Sequence, residues 1–239
     1  MTKLEKIAFP LIFLVAVAAW FMSRAMSNEV FGMHWMTRED GFLEWLTVIA
    51  LFSSALVCWQ RCWAFRQYAN GIFAACSAVY GAVFFFGMGE EISWGQRLLG
   101  IETPEFLAKA NAQKEMNLHN LVIGGISVNK LVFGKILAVG IAVFLVAFPM
   151  AYRQSMPIRL WCDRLAIPVP RLQHTIAIMA VALMVETSRA SKRGEITEFA
   201  VSASVFLLLL NPLNKQLFQR TPAVMQSVPE VKTARRFAA

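Results

Sequence analysis

Val79-Tyr80-Gly81-Ala82-Val83-Phe84-Phe85-Phe86-Gly87-Met88-Gly89-Glu90-Glu91-Ile92-Ser93-Trp94-Gly95-Gln96-Arg97 passes directly from apolar side chains to a dense polar run. The apolar part extends back to Tyr68, giving a block Tyr68–Met88. A helix needs about 20 such residues to cross a bilayer. The two carboxylates therefore fall where a transmembrane helix would leave the hydrocarbon. This junction decides the fold, because blocks of the same kind recur at Ile7–Met22, Gly41–Trp59, Leu131–Tyr152, Arg171–Ser188 and Ile196–Leu210. The last two are short and flanked by charge. An all-α, polytopic transmembrane bundle of about six spans is expected, occupying residues 1–220. Residues 221–239 are expected to form a flexible cytoplasmic tail.

Composition agrees with this. The chain is 57% hydrophobic and 16% charged, against roughly 25% charged in a typical soluble domain. Its net charge of +8 needs no nucleic-acid partner, since basic cytoplasmic loops are the usual cause in membrane proteins. Met1–Lys6 is a basic start, and no A-x-A-like cleavage site follows Ile7–Met22. That block reads as an uncleaved first helix.

Loop charge sets the expected orientation. With the N-terminus inside, the cytoplasmic segments hold Lys3, Lys6, Arg61, Arg66, Arg153, Arg159, Arg164, Arg171, Lys215, Arg220, Lys232, Arg235 and Arg236. The other side then carries every acid except Glu5, Asp163 and Glu230. Cytoplasmic N- and C-termini in a bacterial inner membrane are expected under the positive-inside rule. Trp20, Trp35, Trp45, Trp59, Trp63, Trp94 and Trp161 fall mostly near span ends, as in an aromatic belt. The basic tail residues Lys232, Arg235 and Arg236 suit contact with anionic lipid or simple solubility. Cys58 and Cys62 are one helical turn apart, and packing is the expected role of the cysteines.

Glu90–Lys130 is too long for a turn. Within it Thr103-Pro104-Glu105 resembles a helix start, Thr103 as N-cap and Pro104 at the first position. The pattern predicts a short interfacial helix from Pro104 to about Met116, between spans three and four. The segment 153–170 is expected to lie along the membrane surface.

Acids gather at one membrane face. Glu44 lies just inside span two, Glu90 and Glu91 close span three, and Glu186 sits in the last turn of span five. Glu198 opens span six, with Glu195 three residues before it. The helix dipole favours Glu44 and Glu198 at N-terminal ends and opposes Glu90, Glu91 and Glu186 at C-terminal ends. Partly desolvated carboxylates of this kind need a proton, a metal or a compensating cation, with Arg97, Arg189, Lys192 and Arg193 nearest in sequence. Glu115 and His119 are four apart, so a continuous helix would place them on one face. Glutamate and histidine together can bind a divalent metal such as zinc. Ordinary hydrated carboxylates and interfacial ion pairs remain the plain alternative. His34 and His174 read as structural or interfacial.

The run Gly89–Arg97, with Thr103-Pro104-Glu105, Asn111, Gln113, Glu115, Asn117-Leu118-His119-Asn120 and the earlier Glu39-Asp40-Gly41 and Glu44-Trp45, resembles a family of bacterial multi-pass inner-membrane proteins with an EEISWGQR-type signature. The resemblance covers mainly residues 39–120 and implies membership without implying a reaction. A second resemblance is to the CAAX-type intramembrane proteases, which pair a double glutamate with arginine and histidines. Here Arg97 is six residues beyond Glu91 rather than four, and no second histidine motif follows.

The expectation is a periplasmic-face enzyme acting on a membrane lipid or lipid-linked substrate by metal-assisted hydrolysis or transfer. Glu90 and Glu91 would act as base or ligands, His119 as ligand or acid/base, and Arg97 as an anion clamp. Glu91, His119, Glu186 and Glu198 form the candidate metal set. The alternatives are a scaffold or accessory subunit whose carboxylates form structural ion pairs, or a small proton-coupled transporter.

Overall fold

The computed structural model describes residues 1–66, 71–128, 136–188, 190 and 192–219. The start of the third block at Tyr68, the start of the fourth at Leu131, Arg189 and the tail from 221 onward lie outside these residues.

The chain is built from helices because apolar blocks in lipid must satisfy every backbone N–H and C=O internally. Helix α1 spans Lys3–Ala25 and a short α2 spans Asn28–Met33. Two long helices follow, α3 (Phe42–Phe65) and α4 (Gly71–Glu91). After a single 3-10 turn come α5 (Gln96–Leu99) and α6 (Glu105–Ala110). A two-stranded hairpin, β1 (Val122–Ile123) with β2 (Ile126–Ser127), closes the loop. The remaining helices are α7 (Leu137–Gln154), α8 (Met156–Arg164), α9 (Leu172–Glu186), α10 (Arg193–Leu210) and α11 (Lys215–Phe218).

Helices α1, α3, α4 and α7 are long and apolar enough to cross a membrane. Helix α9 has 15 residues, about 22 Å at 1.5 Å per residue, short of a 30 Å hydrocarbon core. Helix α10 carries Arg193, Glu195 and Glu198 in its first turns. The outward faces of α1 and α7 present Ile7, Leu11, Leu14, Phe21, Val139, Val143 and Met150, side chains that lipid tolerates and water does not.

In lipid, helices associate through close packing rather than hydrophobic exclusion, so small residues mark the contacts. Ala16 and Ala19 of α1 and Ala200 of α10 are buried in one core with Leu43, Val181, Val185, Ile196, Phe199 and Leu207. Gly81 of α4 serves the same purpose against α3, since a Cβ there would lie 2.3 Å from the Trp59 indole.

Polar contacts tie the ends. At one end Trp20 donates to Thr187 at 2.9 Å and Ser23 bonds Ser188 at 2.7 Å, joining the ends of α1 and α9. At the other, Glu5 contacts His174 at 3.1 Å and accepts from Asn211 at 2.8 Å, joining the starts of α1 and α9 to the end of α10. Helices α1 and α9 therefore run parallel, and α10 runs against both. Arg61, near the end of α3, donates to the Leu209 carbonyl near the end of α10, so these two also run parallel.

The expected helix Pro104–Met116 is shorter. It runs Glu105–Ala110, with Pro104 as N-cap. Asn111 ends it: its side-chain Oδ1 accepts from the Gln113 and Glu115 amides at 2.9 and 3.2 Å, and Lys114 turns left-handed at φ 59°. Glu115 and His119 consequently do not share a helical face.

Candidate functional site

The polar run after α4 forces a sharp reversal. Ser93, Trp94 and Gly95 take φ of 46°, 57° and 76°, the left-handed region, which costs roughly 1–3 kcal/mol for each non-glycine residue. Neighbouring contacts hold this strain. The Trp94 ring lies on Gly89, where a Cβ would stand 2.8 Å from ring carbons. Its Nε1 donates to Glu90 Oε1 at 2.9 Å. The buried Ser93 hydroxyl donates to Glu115 Oε2 at 2.6 Å and accepts from Asn117 at 2.8 Å.

Arg97 is the centre of this construction. Its Nε and Nη2 grip Asp40 at 2.8 and 2.9 Å, Nη2 also reaches Glu44 at 2.7 Å, and Nη1 reaches Glu115 at 2.6 Å and Ser93 at 3.4 Å. A guanidinium has five N–H donors, and all five are committed here. Burial works against the Arg97 charge, but the bonds to Asp40 and Glu115 and the charges of Glu115 and Glu44 outweigh it and raise its pKa. The expected anion clamp has no donor left for a substrate. Its role is to lock the loop onto the starts of α3 and α5.

Glu90 is committed too. Its Oε2 accepts the backbone N–H of Leu118 at 2.6 Å and of His119 at 3.0 Å, and lies 3.5 Å from His119 Nδ1. Gln96 accepts the Met116 amide at 2.7 Å and donates to Thr103. Asn111 donates to the carbonyl and side chain of Asn117 at 2.9 and 2.8 Å. Nearly every polar residue of the signature is thus spent on holding residues 111–120 against the bundle.

Glu91 is the exception. It makes no hydrogen bond or ion pair among the described residues, and the charges bearing most on it are Glu198, Glu195, Glu44 and Glu39. Glu198 is exposed, with His119 and Lys192 the positive or potentially positive groups nearest to it. Lys192 pairs with Glu39 and lies 3.6 Å from Glu195. Burial opposes the Lys192 charge, but its bond to Glu39 and the charge of Glu195 prevail and raise its pKa. Arg97 and Lys192 therefore neutralise acids around the site without touching Glu91 or Glu198.

Of the sequence-derived candidates, Glu90, Glu91, His119 and Glu198 come together, and Arg97 stands beside them as a clamp. Glu186 stands apart, 73% exposed at its side chain and 3.4 Å from Arg193. Among the described residues no three His, Cys, Asp or Glu side chains are arranged to hold a metal ion. Lys192, expected as a compensating cation, does pair with acids of the framework, whereas Asp40, Ser93 and Asn117 belong to that framework without being sequence-predicted site residues. Asp40 carried a signal, lying in Glu39-Asp40-Gly41 immediately before a span. Ser93 and Asn117 carried none beyond their place in a polar run.

Comparison with family models, with curated proteins and with solved structures gave no match. The class supported by the fold is a helical protein with four helices able to cross a membrane.

Proposed function

We propose that this chain is a six-span inner-membrane enzyme that acts on a lipid or lipid-linked substrate, with Glu91 as its acid–base group. One observation carries the reading. Within Gly89–Arg97, Glu91 is the one polar side chain without a partner among the described residues, and it faces other carboxylates. Isolated charge at the edge of a bilayer is costly and is kept where function uses it. Glu198, exposed beside it, would meet the substrate, and His119, oriented by Glu90, would pass the proton on. A divalent metal such as zinc is the other compensator of such a centre, but Glu91, Glu198 and His119 are not arranged as a ligand set for one, so proton transfer is the chemistry proposed.

The helix directions support an even number of crossings with both termini on one side: α1 and α9 run one way, α3 and α10 the other, as alternate crossings require, and the basic loops make that side the cytoplasm. Membership of the EEISWGQR-type family remains part of the proposal. The scaffold reading applies best to Arg97 and Glu90, whose bonds are structural, and it does not account for Glu91.

The test is the lipid profile of cells overproducing the protein. Wild type should alter a lipid or lipid-linked pool, and Glu91→Gln at equal abundance should not. Indistinguishable profiles for wild type and variant would overturn the enzyme reading. Elemental analysis of the purified protein separates the two chemistries: metal lost in both Glu91→Gln and His119→Ala marks a metal centre, and none in wild type marks proton transfer alone.

A further inference from the structure

At the end of the bundle opposite the acidic site a cavity of about 280 Å³ opens between α3, the end of α10 and α11. Its polar lining is Gln60, Arg61, Lys215 and Gln219, and its apolar wall includes Phe65 and Phe218. No acid lines it. Arg61 is half-buried within the last turns of α3. Its guanidinium packs over the Phe218 ring at 3.9 Å and donates to the Leu209 carbonyl. Among the described residues it makes no ion pair, and the one ionisable group bearing on it is the Cys58 thiol. Of its five N–H donors, one is used among the described residues. A desolvated cation without a counter-charge is unfavourable unless an anion joins it.

The depth is also informative. Trp63, two residues beyond Arg61 in α3, is 68% exposed, and Arg66 stacks on its ring. Exposed tryptophan with arginine at a helix end marks the headgroup level of a bilayer. A cavity there with cations at its mouth and aromatic rings along its wall suits a phosphate joined to a hydrocarbon chain.

We infer that Arg61 and Lys215 form a binding site for an anionic phospholipid, with Arg61 gripping the headgroup phosphate and Phe65 and Phe218 lying along the acyl chain. Lys215 strengthens the headgroup contact from the rim. The inference does not depend on the acidic site at the other end.

Native mass spectrometry of the detergent-purified full chain tests it, using phosphatidylglycerol and phosphatidylcholine as probes. Wild type should retain phosphatidylglycerol preferentially. Lys215→Gln should reduce that retention about five-fold, the weight of one cation at an anionic surface. Arg61→Gln should abolish it, and Arg61→Lys should restore part, which distinguishes lost binding from lost folding. Equal retention of both lipids would overturn the site. So would displacement of phosphatidylglycerol by millimolar inorganic phosphate, which would make the ligand a free anion. Retention that falls with Lys232→Gln, Arg235→Gln and Arg236→Gln together, but not with Lys215→Gln, would move lipid binding to the tail and also overturn it.

Discussion

Arg97 shows how far residue types alone can mislead. A lone arginine after two glutamates suggests a ligand clamp, yet its five donors are taken by Asp40, Glu44, Glu115 and Ser93. Three of these partners are 18 or more positions away in sequence, and only folding brings them in. Arg97→Ala should destabilise the protein by about 3–5 kcal/mol, because it strands several carboxylates at once. Arg97→Lys should recover little, since an ammonium cannot reproduce the two-pronged grip on Asp40. Chemical unfolding in detergent reads both. Lys192 gives a pH-dependent counterpart. A raised lysine pKa adds stability that is complete below its unfolded-chain value and disappears as pH climbs through the folded value. Lys192→Met should therefore unfold at lower temperature than wild type at neutral pH, and the gap should close only under strongly alkaline conditions. A gap already closed near neutrality would contradict the pairing with Glu39 and Glu195.

At the scale of elements, the apolar blocks were legible because length and hydropathy alone define them. The loop between α4 and α7 was legible only in part. Thr103-Pro104 did announce a helix, but the pattern could not show that Asn111 would capture two downstream amides and stop it. The hairpin turns at Gly124-Gly125, paired glycines between apolar residues that are a turn signal in the sequence, and both take positive φ. The loop's order depends on side chains from the bundle. Amides of Met116, Leu118 and His119 donate to Gln96 and Glu90, so they should exchange slowly although they belong to no helix. Glu90→Gln should cost about 1.5–3 kcal/mol, the weight of hydrogen bonds to a charged acceptor, and should speed exchange at Leu118 and His119. Gly89→Ala should be damaging as well: its methyl meets the Trp94 ring, and overpacking costs about 1–3 kcal/mol. Trp94 fluorescence that stays unchanged in Gly89→Ala would contradict that contact.

For the whole molecule, the two ends of the bundle are chemically opposed. The starts of α1 and α9 and the end of α10 meet in the buried Glu5, His174 and Asn211 group, while the far end holds the loop, the Arg97 clamp and Glu91. Reporter fusions after Arg66 and Arg153 should read cytoplasmic, and fusions near Lys109 periplasmic; the reverse would invert the site's location. The nearness of Glu91 and Glu198 follows from acids at span ends sharing a depth, whereas His119 is brought in by the loop's backbone bonds to Glu90. Glu186 has the same sequence signature, but its direction around α9 takes it out to Arg193, and depth alone cannot fix rotation. The central claim is that Glu91 serves function while Glu90 and Arg97 serve the fold. Thermal unfolding of Glu91→Gln beside Glu90→Gln, in one detergent, tests it most directly. A group retained for function at a cost in stability should be removable without loss. The account predicts that Glu91→Gln melts at or above the wild-type temperature while Glu90→Gln melts below it. A Glu91→Gln protein destabilised as much as Glu90→Gln would show that Glu91 is another part of the scaffold.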